Sequence, residues 1–159
     1  MESVMVEDYM VNHRTMALIP VFEGESKTKI YEVGGSVLTT NVSPIHIMKK
    51  ACLERGSSLQ GRYDAVKHKL GFRQRLPVPV DQQEGIYAFP IMSAKKPENI
   101  WLFYDHVDRT VCDENGSIII FYDGQQLSTS ISSYIIEQQI LKTGRCKTIF
   151  QQKFRNSIH

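Results

Sequence analysis

The spacing of the apolar residues changes after residue 41, and this change restricts the folds open to the chain. Up to that point, short apolar stretches separated by turn residues indicate β-strands. Beyond it, Ile45, Met48 and Cys52 recur at the spacing of an amphipathic helix. Strand-like stretches return after residue 76, and the last part of the chain is helical again. Strands joined by short turns pair antiparallel, so this order predicts an α+β fold.

The predicted strands are short and fall into two groups. They cover residues 9–11, 15–22, 28–33, 36–40, 76–80, 86–91, 100–106, 110–112, 117–122 and 126–128. Gly34-Gly35 predicts a two-residue hairpin turn, because glycine tolerates the positive φ that such turns need. Pro77 and Pro79 lack the backbone N–H that a strand paired on both sides would need, so we expect the 76–80 strand at a sheet edge.

A pair of helices is predicted between the two groups of strands. Ser43 is a good N-cap and Pro44 fits the first helical position, so the first helix runs over 43–55. Gly56-Ser57-Ser58 forms a tight link, and a second helix follows over 59–70. We expect this pair to be a basic helix–turn–helix-like insertion, in the loose sense of two helices and a short link.

The C-terminal part is predicted to contain two helices. The first runs from Ser132 or Ser133 to about Lys142 and ends at Gly144, and the second covers 145–156. The predicted class is therefore α+β, with mainly antiparallel strands, the helical insertion and C-terminal helices, in a single domain over residues 1–159.

The charged residues are sorted along the chain, although the net charge is only +2. Residues 1–42 carry −3, residues 43–76 carry +6, residues 77–137 carry −6 and residues 138–159 carry +5. Blocks of one sign create a local field even when the total is small, and a positive block suits a polyanion such as nucleic acid. The alternative is that these charges are solvated helix faces spread around the molecule.

No motif in the chain indicates catalysis, a cofactor or a metal. The Walker loop, the dinucleotide-binding glycine pattern and the nucleophile elbow are all absent. The three cysteines are widely spaced and form no CxxC pair, which favours reduced thiols over a disulfide framework or a zinc site. No apolar stretch reaches a membrane span and no signal peptide begins the chain, so we expect a cytoplasmic, nucleoid-associated protein. We do not expect an enzyme.

One cluster offers an alternative. Asp105-His106-Val107-Asp108 places a histidine between two carboxylates, as a general base would be. In a strand only Asp108 shares the face of His106, and no third partner is identifiable. A surface cluster at a strand end explains the same residues.

The segment Gly56-Ser57-Ser58-Leu59-Gln60-Gly61-Arg62 is more informative. Its backbone N–H groups could donate hydrogen bonds to a phosphate at a helix N-terminus, and Arg62 could then pair with phosphate or enter a minor groove. A simple capped connection between two helices is the other interpretation.

In this segment the chain resembles the ComK competence transcription factors of Gram-positive bacteria. The pattern Gly56-Ser57-Ser58-x-x-Gly61-Arg62 is similar to their signature. Further similarities follow in the same order along the chain, from about Tyr9 to the end: Pro77-x-Pro79-Val80-Asp81, Phe89-Pro90, Trp101 with His106-Val107, Lys153-Phe154 and Ile158-His159.

The resemblance implies a transcriptional activator of DNA-uptake genes. Members of the family bind paired A/T-rich boxes in double-stranded DNA, mainly through the minor groove, as dimers that associate further. An activator also works with RNA polymerase, and a Clp-protease adaptor captures family members for degradation. The best-known members continue past the position that matches His159, so the resemblance implies a short form without the usual C-terminal extension. Adaptor capture is a weaker expectation for such a form.

The residues expected to contact DNA lie in the first positive block. They are Lys49, Lys50, Arg55, Ser57, Ser58, Arg62, Lys67, Lys69, Arg73 and Arg75. Lys147, Lys153 and Arg155 form a second basic patch for a DNA or dimer surface. A rival hypothesis is a truncated regulator that acts through protein–protein contacts or mixed oligomers and binds DNA weakly.

Overall fold

A seven-stranded sheet organises the computed structural model, which describes residues 3–158 and the side chains up to residue 152. Its strands lie in the order β1-β4-β3-β2-β7-β6-β5 and are antiparallel except for the β1–β4 pair. They are β1 (Val4–Met5), β2 (Thr15–Pro20), β3 (Thr28–Glu32), β4 (Ser36–Thr40), β5 (Val78–Asp81), β6 (Ile86–Pro90) and β7 (Trp101–Phe103). Strand β5 lies at the edge that the two prolines predict.

A second, three-stranded antiparallel sheet follows in the chain. It has the order β10-β9-β8 and consists of β8 (Val107–Asp113), β9 (Gly116–Phe121) and β10 (Gln126–Thr129). The three helices are α1 (Pro44–Glu54), α2 (Leu59–Leu70) and α3 (Ser133–Ile158). Within the described residues, no helix combines the length and the apolar character that crossing a bilayer requires.

The large sheet is covered on both faces because its central strands alternate between two apolar clusters. On β7, Trp101 and Phe103 belong to one cluster, and Leu102 belongs to the other. The first cluster includes buried residues of α1 and the first residue of α2. The second cluster includes Ile119 of the small sheet and Ile136 of α3. Helix α1 and the start of α2 therefore cover one face of the large sheet, and the small sheet with α3 covers the other. The rest of α2 packs against α3 in a third cluster, where Val66 lies with Cys146 and Phe150.

The α+β class and the mainly antiparallel pairing are confirmed, but the helix–turn–helix-like insertion is not. Helix α1 buries Ile47, Met48, Ala51 and Cys52 against the large sheet. The pair α1–α2 is therefore one layer of the core rather than an added module. Because the apolar side of this helix pair packs against the sheet, the sheet fixes the orientation of the helices.

Three local differences from the sequence predictions have physical causes. Residues 9–11 form no strand, because the backbone carbonyls of Met10 and Val11 accept hydrogen bonds from the side chains of Asn12 at 3.0 Å and Arg55 at 2.7 Å instead of from a neighbouring strand. Strand β7 ends at Phe103, and residues 104–106 form a 3₁₀ turn. The hairpin turn between β3 and β4 has three residues, 33–35, with both glycines at positive φ.

The C-terminal region is one continuous helix, so the predicted stop at Gly144 is wrong. Gly144 lies inside α3, where a Cβ atom would meet the Tyr104 hydroxyl at 2.8 Å. The glycine allows the helix and the 3₁₀ turn to pack closely. In the sequence such a glycine looks the same as one that ends a helix. Packing against the sheet outweighs the low helix propensity of glycine.

This contact makes the effect of a Gly144→Ala change depend on Tyr104. We expect Gly144→Ala alone to lower the free energy of unfolding by about 1 kcal/mol, since the methyl group collides with the hydroxyl. In a Tyr104→Phe background the nearest remaining atoms lie at 3.4 Å or more, and the same change should stabilise by about 0.5–1 kcal/mol through helix propensity. Urea unfolding of the four proteins measures both values. An effect of the same sign in both backgrounds would contradict this account.

Candidate nucleic-acid interface

The link between α1 and α2 is built as a helix cap. Gly56 has a φ of +93°, which ends α1, and the Ser58 hydroxyl accepts a hydrogen bond from the Gly61 amide at 2.9 Å. A Cβ on Gly61 would lie 2.7 Å from the Ser57 hydroxyl, so a larger residue here would displace that side chain. The Gly-Ser-Ser-x-x-Gly pattern is thus explained by capping, and the Gly61 amide is already bonded within the chain.

Arg55, which the sequence places among the DNA contacts, is directed into the protein. Its Nε donates to Asp81 Oδ2 at 2.9 Å, and its other nitrogens donate to the carbonyls of Val11 at 2.7 Å and Ala51 at 3.2 Å. The side chains of Arg55 and Asp81 are only 20% and 19% exposed. Burial by itself raises the pKa of Asp81, but hydrogen bonds from the Glu84 amide and from Arg55, together with the Arg55 charge, hold it below its ordinary value. Arg55 therefore joins α1 to β5.

Arg62 is half-buried at the same junction. It donates to the Arg55 carbonyl at 3.3 Å, and its Nε is buried with no hydrogen-bond partner among the described residues. Burial raises the pKa of the Cys52 thiol, and the charge of Arg62 partly opposes this. The structure thus places Arg62 beside α1, with one nitrogen bonded to the backbone.

The exposed basic residues begin on α2 and continue into the segment that follows it. Lys67 and Lys69 are exposed on the helix, and Arg73 and Arg75 are exposed beyond it. Arg75 has a φ of +49°, a left-handed conformation that is uncommon for a residue other than glycine. Its carbonyl accepts a hydrogen bond from the buried Gln139 side chain of α3 at 2.9 Å. This bond helps hold the backbone in its unusual conformation.

Lys67, Arg73 and Arg75 line a groove of about 670 Å³ between α2 and the loop that follows β6, whereas Lys69 does not. On α2, Gln60, Tyr63 and Lys67 line the groove at i, i+3 and i+7, so they present one helix face to it. Its basic side chains are Lys67, Arg73, Arg75, Lys95 and Lys96, and no aspartate or glutamate lines it. The described residues provide no ion-pair partner for these five groups. Their charge is therefore directed to solvent.

Two side chains of α3 hold the walls of this groove in place. The Gln139 amide, which is 2% exposed, donates to the Arg75 carbonyl at 2.9 Å and to the Pro90 carbonyl at 2.8 Å. Lys142 Nζ donates to the Gln74 carbonyl at 3.0 Å and lies 5.4 Å from the centre of the Phe72 ring. The segment after α2 and the end of β6 are thus both anchored to the same helix.

Positive charge continues from the groove along α3. A shallower depression that begins at Arg75 and Ile135 is lined also by Lys142 and Arg145, and again by no carboxylate. Burial lowers the pKa of Lys142, and the nearby charge of Arg75 lowers it further. Like charges held this close indicate a surface that gains by meeting an anion.

Other basic residues expected from the sequence lie outside the groove, and two of them are paired with acids. Lys50 pairs with Asp8 at 2.5 Å, and Lys147 pairs with Asp105 at 2.8 Å. Lys49 is exposed on α1, and Lys69 lies 5.8 Å from the Phe150 ring of α3. The other members of the predicted second patch, Lys153 and Arg155, lie outside the described side chains.

The side chains around His106 are held by hydrogen bonds and ion pairs within the protein. His106 Nε2 donates to the His13 carbonyl at 2.6 Å, and Asp105 and Asp108 pair with Lys147 and Arg109. Among the described residues, no group of three or more His, Cys, Asp or Glu side chains is arranged to hold a metal ion.

Sequence reasoning missed Lys95, Lys96 and Arg145 as members of the basic surface. The two lysines lie in a segment with a net charge of −6, so the local average hides them. Only the folding of the 93–99 loop onto the end of α2 brings them to the groove. For Arg145 a signal existed, because the last 22 residues contain no acid.

Comparison with known proteins agrees with the resemblance. Residues 6–155 match the family described as ComK protein. The chain is 28% identical over 155 residues to a protein of Bacillus subtilis (strain 168) named competence transcription factor, and the match covers 96% of this chain and 80% of that protein. No solved structure matches the chain.

Proposed function

The chain belongs to the ComK protein family, and from this membership we propose that it is a DNA-binding transcriptional activator of competence genes. The basic groove is the observation that supports this most directly. Five cationic side chains line it without a carboxylate, whereas Lys50, Arg109 and Lys147 elsewhere on the molecule are paired with acids. Neutralising DNA phosphates at such a surface releases condensed counterions and favours binding.

The proposed DNA surface differs from the set of residues expected from the sequence alone. It keeps Lys67, Lys69, Arg73 and Arg75 and adds Lys95, Lys96 and Arg145. Arg55 and Arg62 are assigned to positioning α2, since their guanidinium groups bond to the protein backbone. Ser57 and Ser58 act as the link and cap, and Lys49 and Lys50 contribute at most long-range steering.

We further propose that the protein binds A/T-rich boxes mainly through the minor groove. Such tracts have a narrow minor groove with an enhanced negative potential, which attracts inserted arginine and lysine side chains. The exposed Arg73 and Arg75 belong to a short segment whose carbonyls at Gln74 and Arg75 are bonded to α3, and such a segment can enter a groove without losing much conformational freedom.

The experiment is a gel-shift titration on A/T-box DNA over a series of salt concentrations, repeated with inosine·cytosine pairs in the boxes. An inosine·cytosine pair lacks the guanine amino group, so it resembles A·T in the minor groove and G·C in the major groove. We expect a steep salt dependence, an affinity within about threefold on the inosine duplex, and a loss of roughly tenfold or more on a G·C duplex. Equal losses on the inosine and G·C duplexes would contradict minor-groove binding, and a flat salt response would contradict the groove itself.

Self-association on DNA is also part of the proposal. Tyr134 and Leu141 are 72% and 67% exposed and lie seven residues apart on α3, so they present an apolar strip on one helix face. The stoichiometry of the complex on one box and on two boxes reports the assembly. Contact with RNA polymerase, capture by a Clp-protease adaptor and a cytoplasmic, nucleoid-associated location stay predictions from the family.

The same apolar strip supports a second candidate, a regulator that acts through protein–protein contacts or mixed oligomers and binds DNA weakly. This candidate predicts no shift of A/T-box DNA by the chain alone and a shift only when a longer relative is present. The gel-shift titration separates the two candidates.

A further inference from the structure

A second cavity shares the 93–99 loop with the basic groove. Its volume is about 560 Å³, which is within the range of small-molecule sites. Its walls are largely apolar and come from Pro20, Val21, Phe22, Pro44, Ile45, Pro97 and Trp101. Phe22 is 68% exposed at this site. An apolar cleft of this size favours the apolar body of a ligand.

A buried donor without a partner lies in the same cavity. Asn99 lines it and is 3% exposed. Its Oδ1 accepts hydrogen bonds from the amides of Ile91 at 3.0 Å and Met92 at 3.2 Å. Its Nδ2 is buried and has no acceptor among the described residues. Since buried N–H groups are nearly always bonded, this unpaired amide favours a ligand that brings an acceptor oxygen to Asn99.

The polar lining indicates that this oxygen carries negative charge. Lys27, Lys95 and Lys96 are exposed at the cavity, and Glu25 is the one carboxylate among its lining residues. The described residues provide no ion-pair partner for the three lysines. A carboxylate would accept from Asn99 and be attracted to these ammonium groups, while an apolar tail packs against Phe22 and Ile45.

We propose that this cavity binds a small amphipathic carboxylate and that its occupancy weakens DNA binding. The coupling follows from the shared loop, because Lys95 and Lys96 line both the cavity and the basic groove. A bound carboxylate takes up positive charge that the groove otherwise offers to phosphate. The coupling rests on the proposed function, whereas the binding of the carboxylate does not.

Trp101 makes the binding step directly measurable, since it is the only tryptophan of the chain. Decanoate, used below its micelle concentration and without DNA, should change the Trp101 emission in a saturable way. The uncharged decan-1-ol should bind roughly tenfold more weakly, because it lacks the charge that the lysines attract. No saturable change with decanoate, or equal affinity for the alcohol, would overturn the assignment of the ligand class.

Variants test the site itself. Phe22→Ala removes an exposed wall and should weaken decanoate binding roughly tenfold. Asn99→Asp keeps the oxygen that holds Ile91 and Met92 and removes the free donor, so it should weaken binding at least as much. Tyr122→Ala is the matched control, since Tyr122 is equally exposed at 68% and does not line the cavity. Unaltered binding in Phe22→Ala and in a folded Asn99→Asp would overturn the location.

The coupling is tested on the DNA complex. Saturating decanoate should weaken binding to A/T-box DNA by roughly tenfold in the unmodified protein. The change should be much smaller in a Lys95→Gln/Lys96→Gln variant, whose groove has lost the shared charges. Decanoate binding that leaves DNA affinity unchanged would overturn the coupling. If the protein binds no DNA at all, the proposed function fails, and the fluorescence titration still decides whether the cavity takes a carboxylate.

Discussion

Replacing Lys67 and Arg73 together by glutamine is expected to weaken binding to A/T-rich DNA by roughly 10- to 100-fold near physiological salt. Both side chains are exposed, line the basic groove and have no carboxylate partner among the described residues. Each should neutralise one phosphate, so the slope of log affinity against log salt should fall in magnitude by about two. A fluorescence-anisotropy titration at several salt concentrations measures both quantities.

The matched control is Lys29→Gln with Arg109→Gln. It removes the same two residue types and the same charge, from exposed positions on β3 and β8 that do not line the groove. Its affinity should stay within about threefold of the unmodified protein, because a screened charge at a distance contributes little. If both double variants lost affinity equally, net charge rather than the groove would explain DNA binding.

Replacing Arg55 by methionine is expected to lower the free energy of unfolding by about 2–4 kcal/mol, mainly because it leaves the carboxylate of Asp81 largely buried and unpaired. The salt slope of DNA binding should not change, since the Arg55 guanidinium bonds to Asp81, Val11 and Ala51 rather than facing solvent. Urea unfolding gives the first value, and the anisotropy titration gives the second.

A second arginine provides the control for Arg55. Arg109 pairs with Asp108 at 2.7 Å, but its side chain is 59% exposed, so Arg109→Met should cost no more than about 1 kcal/mol. In a double-mutant cycle, Arg55→Met with Asp81→Asn should cost less than the sum of the single changes, because the unpaired charge is gone. Additive costs would show that Arg55 stabilises the protein without its bond to Asp81.

The contribution of Arg55 should also depend on pH. Because the pKa of folded Asp81 lies below its ordinary value, the pair contributes fully above the ordinary carboxyl range. The contribution is lost as pH falls through the folded-state pKa of Asp81, when the carboxylate takes up a proton. The difference in unfolding free energy between the unmodified protein and Arg55→Met should therefore narrow in acid. A difference that stays constant down to that pH would contradict the ion-pair explanation.

Local signals predicted the elements of this fold better than they predicted its surface. The second helix begins at Leu59 and ends at Leu70 as expected, because Ser58 and Gly71 are residues whose backbone geometry marks helix ends. Gly144 carries the same type of signal, but its role depends on Tyr104, which lies 40 positions away in the sequence. A contact of this kind is invisible to any local pattern.

The candidate site shows the same division. Lys67, Arg73 and Arg75 were predictable from the sequence. Residues 43–76 contain eight basic and only two acidic residues, so some of the basic side chains must lie exposed and without an acidic partner. The inward direction of Arg55 could not be predicted, because Arg55 contacts Asp81 only when α1 packs against the edge strand of the sheet. Likewise, Lys95 and Lys96 reach the groove only by tertiary folding. The sequence shows how many basic residues exceed the acidic ones. The tertiary structure determines which of these basic residues form ion pairs within the protein.

If DNA binds in the groove as proposed, the double hydrogen bond of Gln139 favours adaptation by the DNA rather than by the protein. One buried amide holds the carbonyls of Arg75 and Pro90 at fixed positions, so the two walls of the groove cannot open or close independently. A groove of fixed width binds a duplex only when the spacing of the phosphates matches that width. The cost of any misfit then falls on bending or twisting the DNA, and that cost depends on base sequence even where no base is touched. Selectivity for flexible or narrow tracts would thus originate partly from a glutamine that never meets the DNA.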